Sequence, residues 1–374
     1  MAGRGWGGSL ATAVGVAAGA GAAQLGLGYG LGIITWQPNN DGQTATWVAS
    51  LAWTTFIAAT SAVAGAYTAD RLNPTAASTL DASPGRLGVT LWRVALAIAA
   101  AVGAMITVAL VAVPARAAVR FNDSSPQTTA GAYAVIGVLL GLVIAVGALT
   151  SRAISANVVA SVSWLWLLAI VSVIDGVAAG TGVHPSKLGV WQFTLSGPLT
   201  RNVHVWEALL TLGAALLIGA FAALPAARRG DNGVGIAVSG AAGPLLVAAA
   251  YFLAAPKLAG VGADEMSPYL VAPYGVIAGL AGSVAVAGLA PRIAKLRMRR
   301  AGRPAPVVPA QASGPIRSSL DDGSTTGDTE PVGARGTASV KPPIWPEDAK
   351  SGTAAPATAT VTTTAKGRRG RGRG

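Results

Sequence analysis

The chain has 374 residues, of which 52% are hydrophobic and 11% charged, with a mean hydropathy of +0.53 and a formal net charge of +12. A soluble domain carries about 25% charged residues, so an ordinary water-soluble fold is excluded. The absence of cysteine also excludes disulfides, thiolate metal sites and cysteine nucleophiles.

A helix needs roughly 20 apolar residues to cross a bilayer core about 30 Å thick. Eight stretches reach that length, at about 9–35, 47–69, 89–113, 131–151, 157–180, 206–225, 234–255 and 270–290. They are continuously apolar rather than alternating, which argues for helices over barrel strands. The predicted fold is all-α: a polytopic membrane helix bundle of about eight transmembrane helices in four hairpins. A basic juxtamembrane segment, 292–303, and a disordered cytoplasmic tail, 304–374, follow it. Arginine outnumbers lysine 21 to 6, a bias expected of a GC-rich bacterial genome.

The first stretch begins like a secretory signal, with Arg4 before an apolar run and small residues from Ala20 to Ala23. The run continues to Thr35, past any such cleavage point, so an uncleaved helix is expected. Glycines four apart (Gly15/Gly19, Gly26/Gly30 and Gly28/Gly32) offer this helix close-packing faces, since small residues let helices approach in lipid. Gly137/Gly141 in the fourth stretch and the row Gly275, Gly279, Ser283, Ala287 in the eighth do the same. Pro244 removes a backbone hydrogen bond in the seventh and predicts a kink, with Gly240-Ala241-Ala242-Gly243 adding flexibility just before it.

Basic residues set the orientation. With the N-terminus in the cytoplasm, 13 fall inside, among them Arg71, Arg93, Arg152, Arg228 and Arg229, and five fall outside. Both termini are therefore expected in the cytosol, with the protein in the plasma membrane.

Chemistry is sparse. Asp175 lies near the outer end of the fifth stretch, and the connection at 181–205 holds His184, Trp191, Phe193, Arg201 and His204, with Trp206 and Glu207 just beyond. Asp175, His184, Arg201, His204 and Glu207 form the candidate ligand-binding set at the outer face. The Ser196-Gly197-Pro198 turn suggests a folded lid or re-entrant piece there. Their spacing matches no metal signature, and the P-loop, His-Glu-x-x-His and Gly-x-Ser-x-Gly patterns are all missing, so no catalytic residue, metal or cofactor is expected.

Beyond the last stretch, Arg292, Lys295, Arg297, Arg299, Arg300 and Arg303 make an anionic-lipid contact. In the tail, Ile344, Trp345 and Pro346 sit within Pro342-Pro343-Ile344-Trp345-Pro346-Glu347-Asp348, which resembles a short docking peptide pre-extended by its prolines. The arginine–glycine end, Lys366 to Gly374, suits anionic lipid or a generic polyanion rather than a specific nucleic acid. The function expected first is a non-enzymatic membrane scaffold or regulatory subunit that recruits a cytoplasmic partner through this tail. The alternative is a small-molecule permease or channel component with an outward-facing site near 181–205. The sequence counts against that alternative because it offers neither a midplane acid nor a visible broken-helix pair.

Overall fold

Helix is the only regular structure among the described residues, and the lengths match the apolar stretches. The computed structural model describes residues 6–38, 44–72, 86–118, 125–180, 187–190, 203–257 and 263–301. All belong to one compact unit, Met1–Val307; the tail, with Ile344, Trp345 and Pro346, lies outside the described residues. The helices are α1 (Trp6–Gly30), α2 (Thr44–Leu72), α3 (Arg86–Ala104), α4 (Ile106–Ala115), α5 (Pro126–Thr150) and α6 (Arg152–Ala178). Then come α7 (Val203–Arg229), α8 (Gly233–Ser239), α9 (Ala242–Ala254) and α10 (Ala263–Ala301).

Seven helical spans are long and apolar enough to cross a membrane, with α3 and α4 forming one of them across a single-residue turn at Met105. An eighth is supplied by α8 and α9 together, bent by 43° at Gly240–Ala241. The described residues are therefore all-helical in their regular structure, with seven or eight apolar spans suited to a multi-pass membrane bundle. Its outer surface agrees: Leu87 and Phe252 are each 80% exposed, and Val143, Phe221, Leu270 and Ile277 also point outward. Apolar exposure on that scale is costly in water and favourable in lipid.

The core is built around α2. From Trp47 to Val63 every residue of this helix is buried, although it carries Thr54, Thr55, Thr60 and Ser61. An encircled helix need not be apolar toward lipid, and most of its hydroxyls are satisfied by its own backbone. Thr55 donates to Leu51 O at 3.1 Å, Thr60 to Ile57 O at 3.2 Å and Ser61 to Ile57 O at 2.6 Å. Around it, α5 lays Gly137 against the Thr55 carbonyl and Gly141 against Ala59, where a Cβ would collide with backbone. The expected pair thus does seat a helix.

In α1 four of the six expected glycines do not, and of the others Gly28 is buried beside Ile34 and Trp166. Gly15, Gly19, Gly26 and Gly30 have open space at their Cβ positions, and the buried stripe is Ser9, Ala13, Ala17, Gly21, Leu25 and Gly28. That stripe follows the 3.6-residue period, with alanine as often as glycine at the contact. Gly32, at φ +66°, turns the chain after α1, and Ile33 and Ile34 donate their amides to Gly28 O. Helix α1 therefore stops before the expected Thr35.

In α10 the row behaves as expected. Gly279 lies against the Gly240 carbonyl and Pro244, and Ser283 is fully buried. A second contact joins α7 to α10, with Gly219 against the Gly279 carbonyl and Gly282 against the Leu216 carbonyl. Helix α10 also runs on to Ala301, so the backbone of residues 292–301 is helical.

Candidate functional site

The broken span shapes the interior. Gly240 and Ala241 interrupt it one turn before Pro244, whose missing N–H leaves the Gly240 carbonyl without its helical donor. Interrupted backbone in a bilayer has to be satisfied by protein or by a cavity. Here the Gly240 amide donates to Ser283 Oγ at 3.2 Å, and Ser283 donates in turn to Ala237 O at 2.6 Å. On the other side of the break the Gly243 amide donates to Asn157 Oδ1 at 2.8 Å. A Cβ on residue 243 would run into the Ser161 hydroxyl, so glycine is what lets α9 press this closely on α6.

A two-lobed cleft opens from that contact between α6, α7, α9 and α10. The inner lobe, about 60 Å³, has Ser161, Leu165, Ile218, Gly243, Pro244 and Val247 among its walls. The outer lobe, about 30 Å³, adds Glu207, Tyr251 and Ser267. Gly189, Thr211, Val247 and Ala272 border both. The outer lobe lies where α7 and α10 begin and α9 ends, which is one end of the bundle.

Residues 187–190 close part of that end. Leu188 is 1% exposed, its carbonyl accepts the Tyr251 hydroxyl at 2.6 Å, and the Gly189 carbonyl accepts Thr211 Oγ1 at 3.3 Å. Gly189 has φ +74°, a left-handed conformation that favours glycine. This piece of the 181–205 connection is folded into the bundle.

Of the five candidate ligand-binding residues, Glu207 lines the outer lobe. Asp175 is half-buried in the last turn of α6, where its carbonyl accepts the Ala179 amide, and it is not among the cleft's walls. His184 and Arg201, like Trp191 and Phe193, lie outside the described residues, as does the side chain of His204. Among the described residues no group of three His, Cys, Asp or Glu side chains could hold a metal. In the basic cluster Arg292 is exposed, while the side chains of Lys295, Arg297, Arg299 and Arg300, and all of Arg303, lie outside the described residues.

Sequence reasoning missed Asn157, Ser161, Thr211 and Leu188. The spacing of Asn157 and Ser161, four apart and so on one face of the helix, was the available signal. The two tryptophans of α6 do face apart: Trp164 borders the cleft, whereas Trp166 packs on Trp53 at 5.2 Å between ring centroids.

A second cavity of about 130 Å³ lies between α1, α2 and α6, with Gln24, Thr60, Tyr67, Ser155 and Ser163 among its walls. It reaches toward the end of α2 and the start of α6, the opposite end from Glu207. Helix α6 is the wall between the two cavities. Comparison with protein-family models, curated proteins and solved structures found no match to this chain.

Proposed function

We propose that this chain is a multi-pass protein of the plasma membrane, with both termini cytosolic, that binds and passes a small solute through the cleft between α6, α7, α9 and α10. The observation that carries the reading is the interruption at Gly240–Ala241 beside the cleft's floor. Discontinuous spans recur where transporters hold their substrates, because freed backbone groups and helix ends supply polarity without buried charge. The broken span also removes the objection that no such element was visible in the sequence.

The positive-inside argument assigns the end bearing Arg71, Arg93, Arg152, Arg228 and Arg229 to the cytosol, so the outer lobe with Glu207 faces outward. The Gln24 cavity then reaches toward the inside. Passage requires α6 to shift against α9 or α2, since it separates the two spaces. Ser151, the hinge-like single residue before α6, has extended backbone (φ −135°, ψ 119°) and caps the helix by accepting the Ile154 amide.

The test is re-swelling of phosphatidylcholine proteoliposomes shrunk by glycerol, urea, propanediol or hexanediol. At least one solute should enter faster than in protein-free vesicles, and Ala215→Trp, which fills the inner lobe, should abolish the difference. Rates equal to empty vesicles for the whole series overturn the reading.

A second reading rests on the run of α10 past the apolar span Met266–Ala290 to Ala301, which carries exposed Arg292 outward on a continuous helix. In it the basic cluster holds anionic headgroups, each charge near the surface contributing about 1 kcal/mol. The tail beyond then recruits a cytoplasmic protein through Ile344, Trp345 and Pro346, which is the scaffold function expected first from the sequence.

A further inference from the structure

We propose that Ser161 anchors the polar end of an uncharged, partly aliphatic solute, such as a short alcohol or carbonyl compound, at the floor of the cleft. The inference rests on the cleft being the solute site and names what it takes.

Buried hydroxyls in this bundle ordinarily satisfy themselves on their own helix. Thr55, Thr60, Ser61, Thr107, Ser155 and Ser239 all donate to a carbonyl three or four residues back. Ser161 does not. It is 4% exposed, lines the inner lobe, and its Oγ has no partner. Asn157, one turn earlier and fully buried, accepts the Gly243 amide on Oδ1 and packs the start of α9 against this part of α6. Of the four buried side-chain polar atoms without a partner among the described residues, Ser161 Oγ is the one whose residue lines a lobe; Ser9, Thr54 and Asn157 line neither. A polar group buried without a partner is unfavourable, so one at the wall of a cavity points to a ligand that completes it.

The Ser161 hydroxyl can donate as well as accept. The first turn of α9 adds the positive end of a helix dipole beside it, which favours an acceptor on the solute.

Charge is disfavoured in either sign. Among the described residues neither lobe is lined by Lys, Arg or His, and Glu207 stands in the outer lobe, so these walls offer an anion no cation in exchange for its hydration. A cation would meet the positive end of the α9 dipole at the floor. The remaining walls, Leu165, Ile218, Pro244, Val247 and Ala272, suit an aliphatic body. A space of about 60 Å³ is several times the ~10–15 Å³ one water needs on this measure, which fits a molecule of a few heavy atoms.

The test is photolabelling of the full chain in phosphatidylcholine nanodiscs with a diazirine-bearing hexanol, read by peptide mapping. Saturable label should fall within residues 157–165 and 243–247, and excess hexanol should compete while hexane does not. Ser161→Ala should lower the saturable label about fivefold, the effect of one hydrogen bond, and its unfolding midpoint should stay or rise because no partner is lost. Label that Ser161→Ala leaves unchanged, or that hexane competes as well as hexanol, overturns the anchor. If labelling holds while proteoliposomes show no flux, the transport reading falls and the anchor stands. If flux is blocked by Ala215→Trp but unmoved by Ser161→Ala, with label elsewhere, the anchor falls and transport stands.

Discussion

The indole N–H of Trp166 donates to Gln24 Oε1 at 3.0 Å, joining two helices whose bonded residues are 142 positions apart. Thr60 donates to the same oxygen at 3.1 Å, and the Gln24 amide reaches Ser61 Oγ at 3.4 Å, so one side chain ties α1 to α2 and α6. Interhelical hydrogen bonds in a bilayer average about 0.6 kcal/mol, but an abandoned buried partner costs more, about 1–3 kcal/mol. Trp166→Phe is therefore expected to cost less than Gln24→Leu, which strands Trp166 and weakens the second cavity's polar wall. Sodium dodecyl sulfate titration of the purified bundle reads both, and equal midpoints for wild type and Gln24→Leu would show that the hub is idle.

Helix contacts in lipid depend on where small residues face, not on how many there are. Gly141→Leu drives a side chain into the Ala59 backbone and should abolish folded protein, as should Gly279→Leu against the Gly240 carbonyl. Gly15→Leu and Gly19→Leu meet open space and should leave expression and detergent stability within error. Size-exclusion profiles of the four variants check the contrast; a Gly15→Leu protein that aggregates like Gly141→Leu counts against the assigned α1 face.

The break in the seventh apolar stretch is held by side chains from two sides, and Ser283 has the larger share. It accepts from the Gly240 amide and donates to Ala237 O, so Ser283→Ala removes the partner of two backbone groups at the break, one in α8 and one just after it. A loss of about 1–3 kcal/mol is expected, read as a lower unfolding midpoint. Ser283→Thr keeps the hydroxyl and should recover part of it. A midpoint that does not move with Ser283→Ala means the break needs no brace.

What the sequence revealed divides by the range of the interaction. Length and apolar continuity place the spans within a few residues, and local patterns found the Gly137/Gly141 face, the Gly275–Ser283 row and the Pro244 distortion. The central place of α2 was not legible, because its threonines and serines look like ordinary polar content until the surrounding helices are known. Nor was the helical run of α10 through 292–301, where the arginines end the apolar stretch but not the helix. Asn157 and Ser161 escaped for the same reason as α2. Their meaning lies in Gly243, 86 positions from Asn157, and in the bonds they fail to make on their own helix.

The tail reading separates cleanly from the cleft reading. Removing residues 304–374 should leave proteoliposome re-swelling intact while abolishing capture of any cytosolic partner, and Trp345→Ala in the full chain should do the same to capture. A partner retained by the truncated chain would locate recruitment on the helical body instead.

Orientation can be tested without background, since the chain has no cysteine of its own. Arg229→Cys replaces an exposed residue at the end of α7, where Arg229 pairs with Asp231 at 3.2 Å; the pair is solvent-exposed and its loss should cost little stability. Lys187→Cys places a thiol beside the buried Leu188 at the other end of the bundle. With the basic end in the cytosol, a membrane-impermeant maleimide should label Lys187→Cys in intact cells and Arg229→Cys only after permeabilisation. The reverse pattern would turn the cleft with Glu207 toward the cytosol. Solute capture at the Ser161 floor would then begin from inside, and the basic end of α10 would lie away from the anionic headgroups of the cytoplasmic leaflet that it is proposed to hold.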